Sequence, residues 1–63
     1  MPVVKIVMWE EGGAYLGYLQ DYPDYWTQGE TRDDLMEHLV DLYRDVTGGE
    51  VPGIRRVEDL DVP

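Results

Sequence analysis

The most restrictive feature of this sequence is a short first strand that is apolar on both of its faces. The segment Val3 to Trp9 is rich in β-branched and apolar residues and is too short to form a free helix. Because successive side chains of a strand point to opposite faces, one face carries Val4, Ile6 and Met8, and the other carries Val3, Val7 and Trp9. One amphipathic helix covers only one face of a sheet. We therefore expect a partner to cover the second face.

The remaining segments predict an α+β domain with the order β-β-β-α-β, a small antiparallel sheet with one amphipathic helix on one face. A connection at residues 10–13 contains two glycines and joins the strand at about 3–9 to a second strand at about 14–20, forming a hairpin. The cluster Asp21-Tyr22-Pro23-Asp24 predicts a turn before a third strand at about 25–28. A helix at about 32–46 and a weaker last strand at about 54–60 complete a single domain over residues 1–63.

The predicted helix has a clear start and a two-sided pattern. Thr31 is suited to be the N-cap, and Asp34 follows three residues later as in a capping box. Apolar residues at helical spacing form a stripe that we expect to lie on the sheet: Leu35, Leu39, Leu42 and Val46, widened by Met36, Val40 and Tyr43. The acidic residues fall mainly on the opposite side, which we expect to face solvent.

The small size of the chain predicts self-association. A domain of 63 residues buries only about 60% of its unfolded surface and has little margin over conformational entropy. The sequence has no Cys for a disulfide, and the single imidazole, His38, has no second His or thiol with which to share a structural zinc. Oligomerisation is the remaining source of stability, and we expect a homo-dimer or tetramer.

The charge of the chain limits its partners. Five Lys and Arg residues against 14 Asp and Glu residues give a formal net charge of −9. This charge would repel a phosphate backbone, so we expect no direct nucleic-acid binding. It fits either a surface that only keeps the protein soluble or a surface that meets a basic partner. The N-terminus has neither a basic leader nor a long apolar stretch, so we expect a cytoplasmic protein without a membrane contact.

Catalytic chemistry has little support in this sequence. Without Cys or Ser, a nucleophile would have to be a Thr, Lys5 or a Tyr, with His38 as the only imidazole base. A lone helical His between acidic and apolar neighbours is typical of a surface residue. No glycine-rich phosphate loop precedes a helix, and the acidic residues at 33, 37 and 41 line an exposed helix surface and do not converge on a metal. We expect no enzyme activity, no cofactor and no metal site; a divalent-metal hydrolase is the weaker alternative.

The aromatic residues supply the candidate contact surface. We predict that partner contacts involve Trp9, Tyr15, Tyr22, Asp24 and Tyr25. Trp26 is expected, together with Tyr25, to start the strand that leads into the helix. The alternative is that these rings complete a small core.

The chain resembles the HicB-type antitoxins over about residues 3–50. A Gly-aromatic strand follows an acidic-Gly turn, Tyr22-Pro23 corresponds to the proline turn of that family, and Thr27-Gln28-Gly29-Glu30-Thr31 fits the motif at its helix start. Asp24-Tyr25 stands where Gly-Cys is common, a departure that alters turn geometry more than class. The resemblance implies a compact, partial ribonuclease H-like fold without an inferred nuclease site.

The same resemblance implies a cytosolic antitoxin that covers the RNA-binding face of a small basic ribonuclease toxin of the HicA type. Many relatives carry a C-terminal DNA-binding segment, whereas this sequence ends at Pro63, so we expect no autoregulation by direct DNA binding. The competing hypothesis is a free-standing homo-oligomer with a structural or regulatory role and no toxin partner.

Overall fold

A computed structural model describes residues 3–49 and 51–63, and these residues form three strands and one helix. The strands are β1 (Ile6–Glu11), β2 (Ala14–Leu19) and β3 (Tyr22–Gly29), and the helix is α1 (Arg32–Thr47). The strands form an antiparallel sheet in the order β1-β2-β3, and α1 lies on one face, over β2 and β3. The predicted α+β class and its β-β-β-α order are confirmed.

The first hairpin has a tighter turn than the sequence predicts. Glu11 pairs with Ala14, so the connection is only Gly12-Gly13 and not the four residues 10–13. These two glycines have φ values of 59° and 81°. Positive φ at both central residues is what a type I′ hairpin turn requires, and glycine adopts it without steric cost. β1 therefore runs to Glu11, two residues beyond the predicted end. It begins at Ile6 and not at residue 3, because β2 ends at Leu19, opposite Ile6.

The second hairpin differs from the turn predicted at Asp21-Tyr22-Pro23-Asp24. Leu19 pairs with Tyr22, and Tyr18 pairs with Trp26, so residues 23–25 have no counterparts on β2 and form a bulge within β3. Pro23 therefore lies inside β3. The strand predicted at 25–28 is too short, because β3 begins at Tyr22 and ends at Gly29. A proline is tolerated there because β3 is an edge strand and a bulge needs no ladder donor at that position.

The junction between β3 and α1 leaves no room for a side chain at Gly29. A Cβ at this position would lie 2.5 Å from the Leu35 backbone nitrogen. Thr31 is the N-cap, as predicted, and its Oγ1 accepts a hydrogen bond of 3.1 Å from the Asp34 backbone N–H. Gly29 and Thr31 thus allow the chain to pass directly from the sheet into a helix that folds back over it.

The core of the described chain lies between α1 and one face of the sheet. Its buried members are Leu19, Leu35, Leu39 and Val46, surrounded by half-buried apolar residues that include Ile6 and Met8 of β1. The predicted helical stripe is therefore the packing face, although Val40 is 48% exposed. Each fully buried aliphatic side chain contributes about 1.5–3 kcal/mol, so a core of this size gives a marginal domain.

The predicted last strand at about 54–60 is wrong. These residues are described and have no strand conformation, and the one backbone hydrogen bond recorded from them to the sheet is donated by the Val57 N–H to the Asp21 carbonyl at 2.6 Å. Ile54 packs against the core at this point, and exposed ion pairs lie beside it, with Arg55 3.9 Å from Asp24 and Arg56 3.9 Å from Asp21. The segment meets the end of the sheet and does not run along an edge, so it forms no ladder.

Candidate protein-binding surface

The sheet has a second face that no described residue covers. Pairing across the hairpins places Val7 opposite Tyr18 and Trp9 opposite Leu16, and Tyr18 opposite Trp26. These side chains alternate with the core residues and therefore point away from α1. We call this surface the open face; it consists of Val7, Trp9, Leu16, Tyr18 and Trp26. The sequence predicts a first strand that is apolar on both faces. This is confirmed within β1, because Val7 and Trp9 lie on the face opposite Ile6 and Met8.

Three aromatic rings form a connected cluster on the open face. The Trp9 ring centroid lies 6.1 Å from that of Tyr18 and 5.5 Å from that of Trp26, and both pairs meet edge to face. Since Trp9 and Trp26 belong to the two outer strands, their rings reach across β2 to meet. Edge-to-face pairs at these distances contribute about 0.5–1.5 kcal/mol each beyond area burial. The cluster is therefore ordered by its own contacts while Trp26 remains 61% exposed to solvent.

The open face carries little charge at its centre. Alternation along β1 places Lys5 and Glu11 on this side, at the two ends of the strand, and the neighbouring polar position on β3 is the uncharged Gln28. An exposed apolar patch bordered by polar residues is typical of a protein interaction surface.

A second surface, on the exposed side of α1, is strongly acidic. Asp33, Glu37, Asp41 and Asp45 follow each other at four-residue spacing along α1 and are all exposed. We call this surface the acidic helix side. One cation is recorded close to it, Arg44, whose Nη1 lies 3.9 Å from the Asp41 carboxylate with both side chains largely exposed. A pair of this kind neutralises the surface only weakly.

The five predicted contact residues lie in different parts of the molecule. Trp9 is on the open face, whereas Tyr15, Tyr22 and Tyr25 lie on the helix side of the sheet and pack against the core. Asp24 is in the β3 bulge and faces Arg55. The alternative interpretation, that rings complete the core, therefore describes the packing of these three tyrosines.

The predicted contact set leaves out Tyr18 and Trp26, although both are among the aromatic residues that the sequence offers for such a surface. The signal for Tyr18 was available, because a two-residue hairpin at Gly12-Gly13 pairs it with Val7. Trp26 carried no such signal. Counting alternate residues back from Trp26 places Tyr22 on the same face, but the bulge at residues 23–25 reverses the alternation and separates the two rings.

The remaining polar groups serve the fold. The His38 Nδ1–H donates a hydrogen bond of 2.6 Å to the Gln28 carbonyl oxygen and so ties α1 to β3. In the part of the chain that the structure describes, no group of three or more His, Asp or Glu side chains is placed to hold a metal ion. Among the described residues, no helix is long and apolar enough to cross a membrane.

Comparisons with protein-family models, with curated proteins and with solved structures find no match to this chain. The resemblance to HicB-type antitoxins stays a prediction from the residues quoted above.

Proposed function

We propose that the protein is a cytoplasmic protein-binding module that neutralises a small basic ribonuclease toxin of the HicA type by covering its RNA-binding face. The observation that carries this proposal is the acidic helix side. It presents four exposed carboxylates along one rigid helix, on a chain whose net charge is −9. No catalytic step is assigned to the protein.

Electrostatics support this role. An RNA-binding face is rich in Lys and Arg because it neutralises phosphates. A helix with carboxylates at successive turns offers such a face opposite charges in fixed positions, without the conformational entropy of a flexible tail. Complementary charge also accelerates encounter and disfavours acidic partners. An acidic helix thus competes with RNA for the same basic residues, because both are attracted to them by charge.

The motif that carries the family resemblance has a clear structural task. In Thr27-Gln28-Gly29-Glu30-Thr31, Gly29 permits the close approach of β3 to the start of α1, and Thr31 caps the helix. The Gln28 carbonyl accepts the hydrogen bond from His38. The motif therefore orients α1, and with it the acidic helix side, relative to the sheet. The toxin partner rests on the family resemblance and on charge.

The test is a binding and growth experiment with two charge-matched variants. In the first, Glu37→Lys is combined with Asp41→Lys on the acidic helix side. In the second, the control, Glu58→Lys is combined with Asp59→Lys in the C-terminal segment. Both raise the net charge equally at exposed positions. The ligand is a HicA-type ribonuclease whose catalytic histidine is replaced, and titration calorimetry gives the affinity; the active toxin is used for growth rescue.

We expect the wild type to bind the toxin and restore growth, and the helix variant to bind at least about tenfold more weakly. The tail variant should bind within about threefold of the wild type. No binding by the wild type, or an equal loss in both variants, would contradict the proposal.

A free-standing homo-oligomer is the second candidate function, and the open face favours it. In that case the wild type would self-associate, fail to bind the ribonuclease and fail to restore growth. The same experiment thus separates the two functions.

A further inference from the structure

We propose that a second copy of this chain covers the open face, so that two three-stranded sheets pack face to face with the two helices on the outside. This inference concerns a different surface from the acidic helix side and does not depend on the toxin. Sheets that pack in this way keep their strand directions within about 30° and interdigitate the side chains of their inner faces.

The shape of the open face fits another sheet. Its side chains form two rows across the sheet: Val7, Tyr18 and Trp26 in one, and Trp9 and Leu16 in the other, which the polar Gln28 continues on β3. The surface extends over the full width of the sheet, and the bridging indoles of Trp9 and Trp26 lie across its middle.

The distribution of charge identifies a second copy as the occupant. Two chains of net charge −9 repel each other, so they can associate only through a surface that keeps their carboxylates apart. Most acidic residues of the described chain lie on α1 and in the C-terminal segment. The five side chains of the open face are uncharged, and carboxylates occur only at its border, with Glu11 at the end of β1 and Asp41 and Asp45 beside the outer edge at Trp26. Self-association through this surface therefore brings together the least repulsive parts of two acidic molecules.

The open face is small. It consists of five side chains on three short strands. A dimer through it is expected to belong to the weak class of interfaces that bury less than about 1,200 Å² in total. We therefore expect a dimer with a dissociation constant in the micromolar range.

Sedimentation equilibrium over about 1–500 µM protein tests the proposal, using the full chain and two variants. Trp26→Glu places a charge at the centre of the open face, at a side chain that is 61% exposed. The matched control is Val40→Glu, which makes the same kind of change at a 48% exposed position on α1. Circular dichroism checks that both variants fold.

We expect the wild type to reach twice the chain mass, Val40→Glu to match it, and Trp26→Glu to dissociate at least about 30-fold more readily, as for a central interface Trp. A wild type that stays monomeric would overturn the proposal, as would a Trp26→Glu variant that dimerises normally or a Val40→Glu variant that dissociates equally.

A second measurement needs no variant. Both tryptophans of the chain lie on the open face. Their fluorescence should shift to shorter wavelength as the wild type associates, because a covered indole loses water. Association without any change in the emission spectrum would place the dimer contact elsewhere and overturn the proposal. Neither measurement contains a ribonuclease, so the failure of this proposal is distinct from the failure of the toxin-binding role.

Discussion

The two faces of one sheet have different composition and different surroundings. On the face under α1, the central strand β2 presents the buried Leu19 and Gly17, where a Cβ on Gly17 would lie 3.4 Å from the Leu35 side chain, and half-buried tyrosines surround them. The open face presents two tryptophans and a tyrosine. Aliphatic residues and glycine permit close packing of a helix on a sheet, whereas amphipathic rings tolerate both water and a partner. The comparison shows that a residue pattern apolar on both faces leads to two different kinds of contact.

The largest effect is expected on the covered face. Leu35→Ala removes a fully buried side chain from the centre of the core, and we expect it to lower the free energy of unfolding by about 2–5 kcal/mol. In a domain this small, such a loss unfolds most of the population. Urea denaturation followed by circular dichroism measures it. Val40→Ala on the exposed side of the same helix is the control and should change stability by less than about 0.5 kcal/mol. Equal losses in both variants would break the distinction between the covered and solvent-facing sides of α1.

A substitution on the open face is expected to lower the stability of the monomer by a smaller amount. Trp9→Ala removes two edge-to-face contacts, which corresponds to about 1–3 kcal/mol of monomer stability. The same change should weaken association more strongly than it weakens the fold, since an indole at an interface centre contributes about 2–4 kcal/mol. Denaturation at low protein concentration gives the first quantity and sedimentation gives the second. If the loss of stability exceeds the loss of association, Trp9 belongs functionally to the core.

The smallest effect is expected on the acidic helix side. Arg44→Ala removes the ion pair with Asp41, whose partners are 75% and 65% exposed. We expect a change in the free energy of unfolding of less than about 0.5 kcal/mol, and a smaller one in high salt. Urea denaturation at two salt concentrations measures it. A loss above about 1 kcal/mol would show that this surface contributes to the fold and is less free to bind a partner.

The sequence predicts the features of this molecule that depend on local pattern. Period-two alternation in β1, helical spacing from Leu35 to Val46 and the cap at Thr31 are local, and each is confirmed. The bulge at residues 23–25 depends on how β3 pairs with β2, so the turn prediction at Pro23 is wrong and Trp26 was missed. The prediction of a last strand is wrong for a similar reason. A strand needs a sheet edge beside it, whereas the packing of Ile54 and the hydrogen bond from Val57 to Asp21 place this segment at the end of the sheet.

The central claim is that the open face is covered by a second molecule, and dilution of an isotope-labelled sample tests it most directly. The indole N–H groups of Trp9 and Trp26 give two resolvable NMR signals, and both report on the open face. We expect both signals to move as the protein is diluted through the micromolar range, while the backbone signal of the buried Leu35 stays in place. Indole signals that do not change with concentration, with a helix signal that does, would contradict the account.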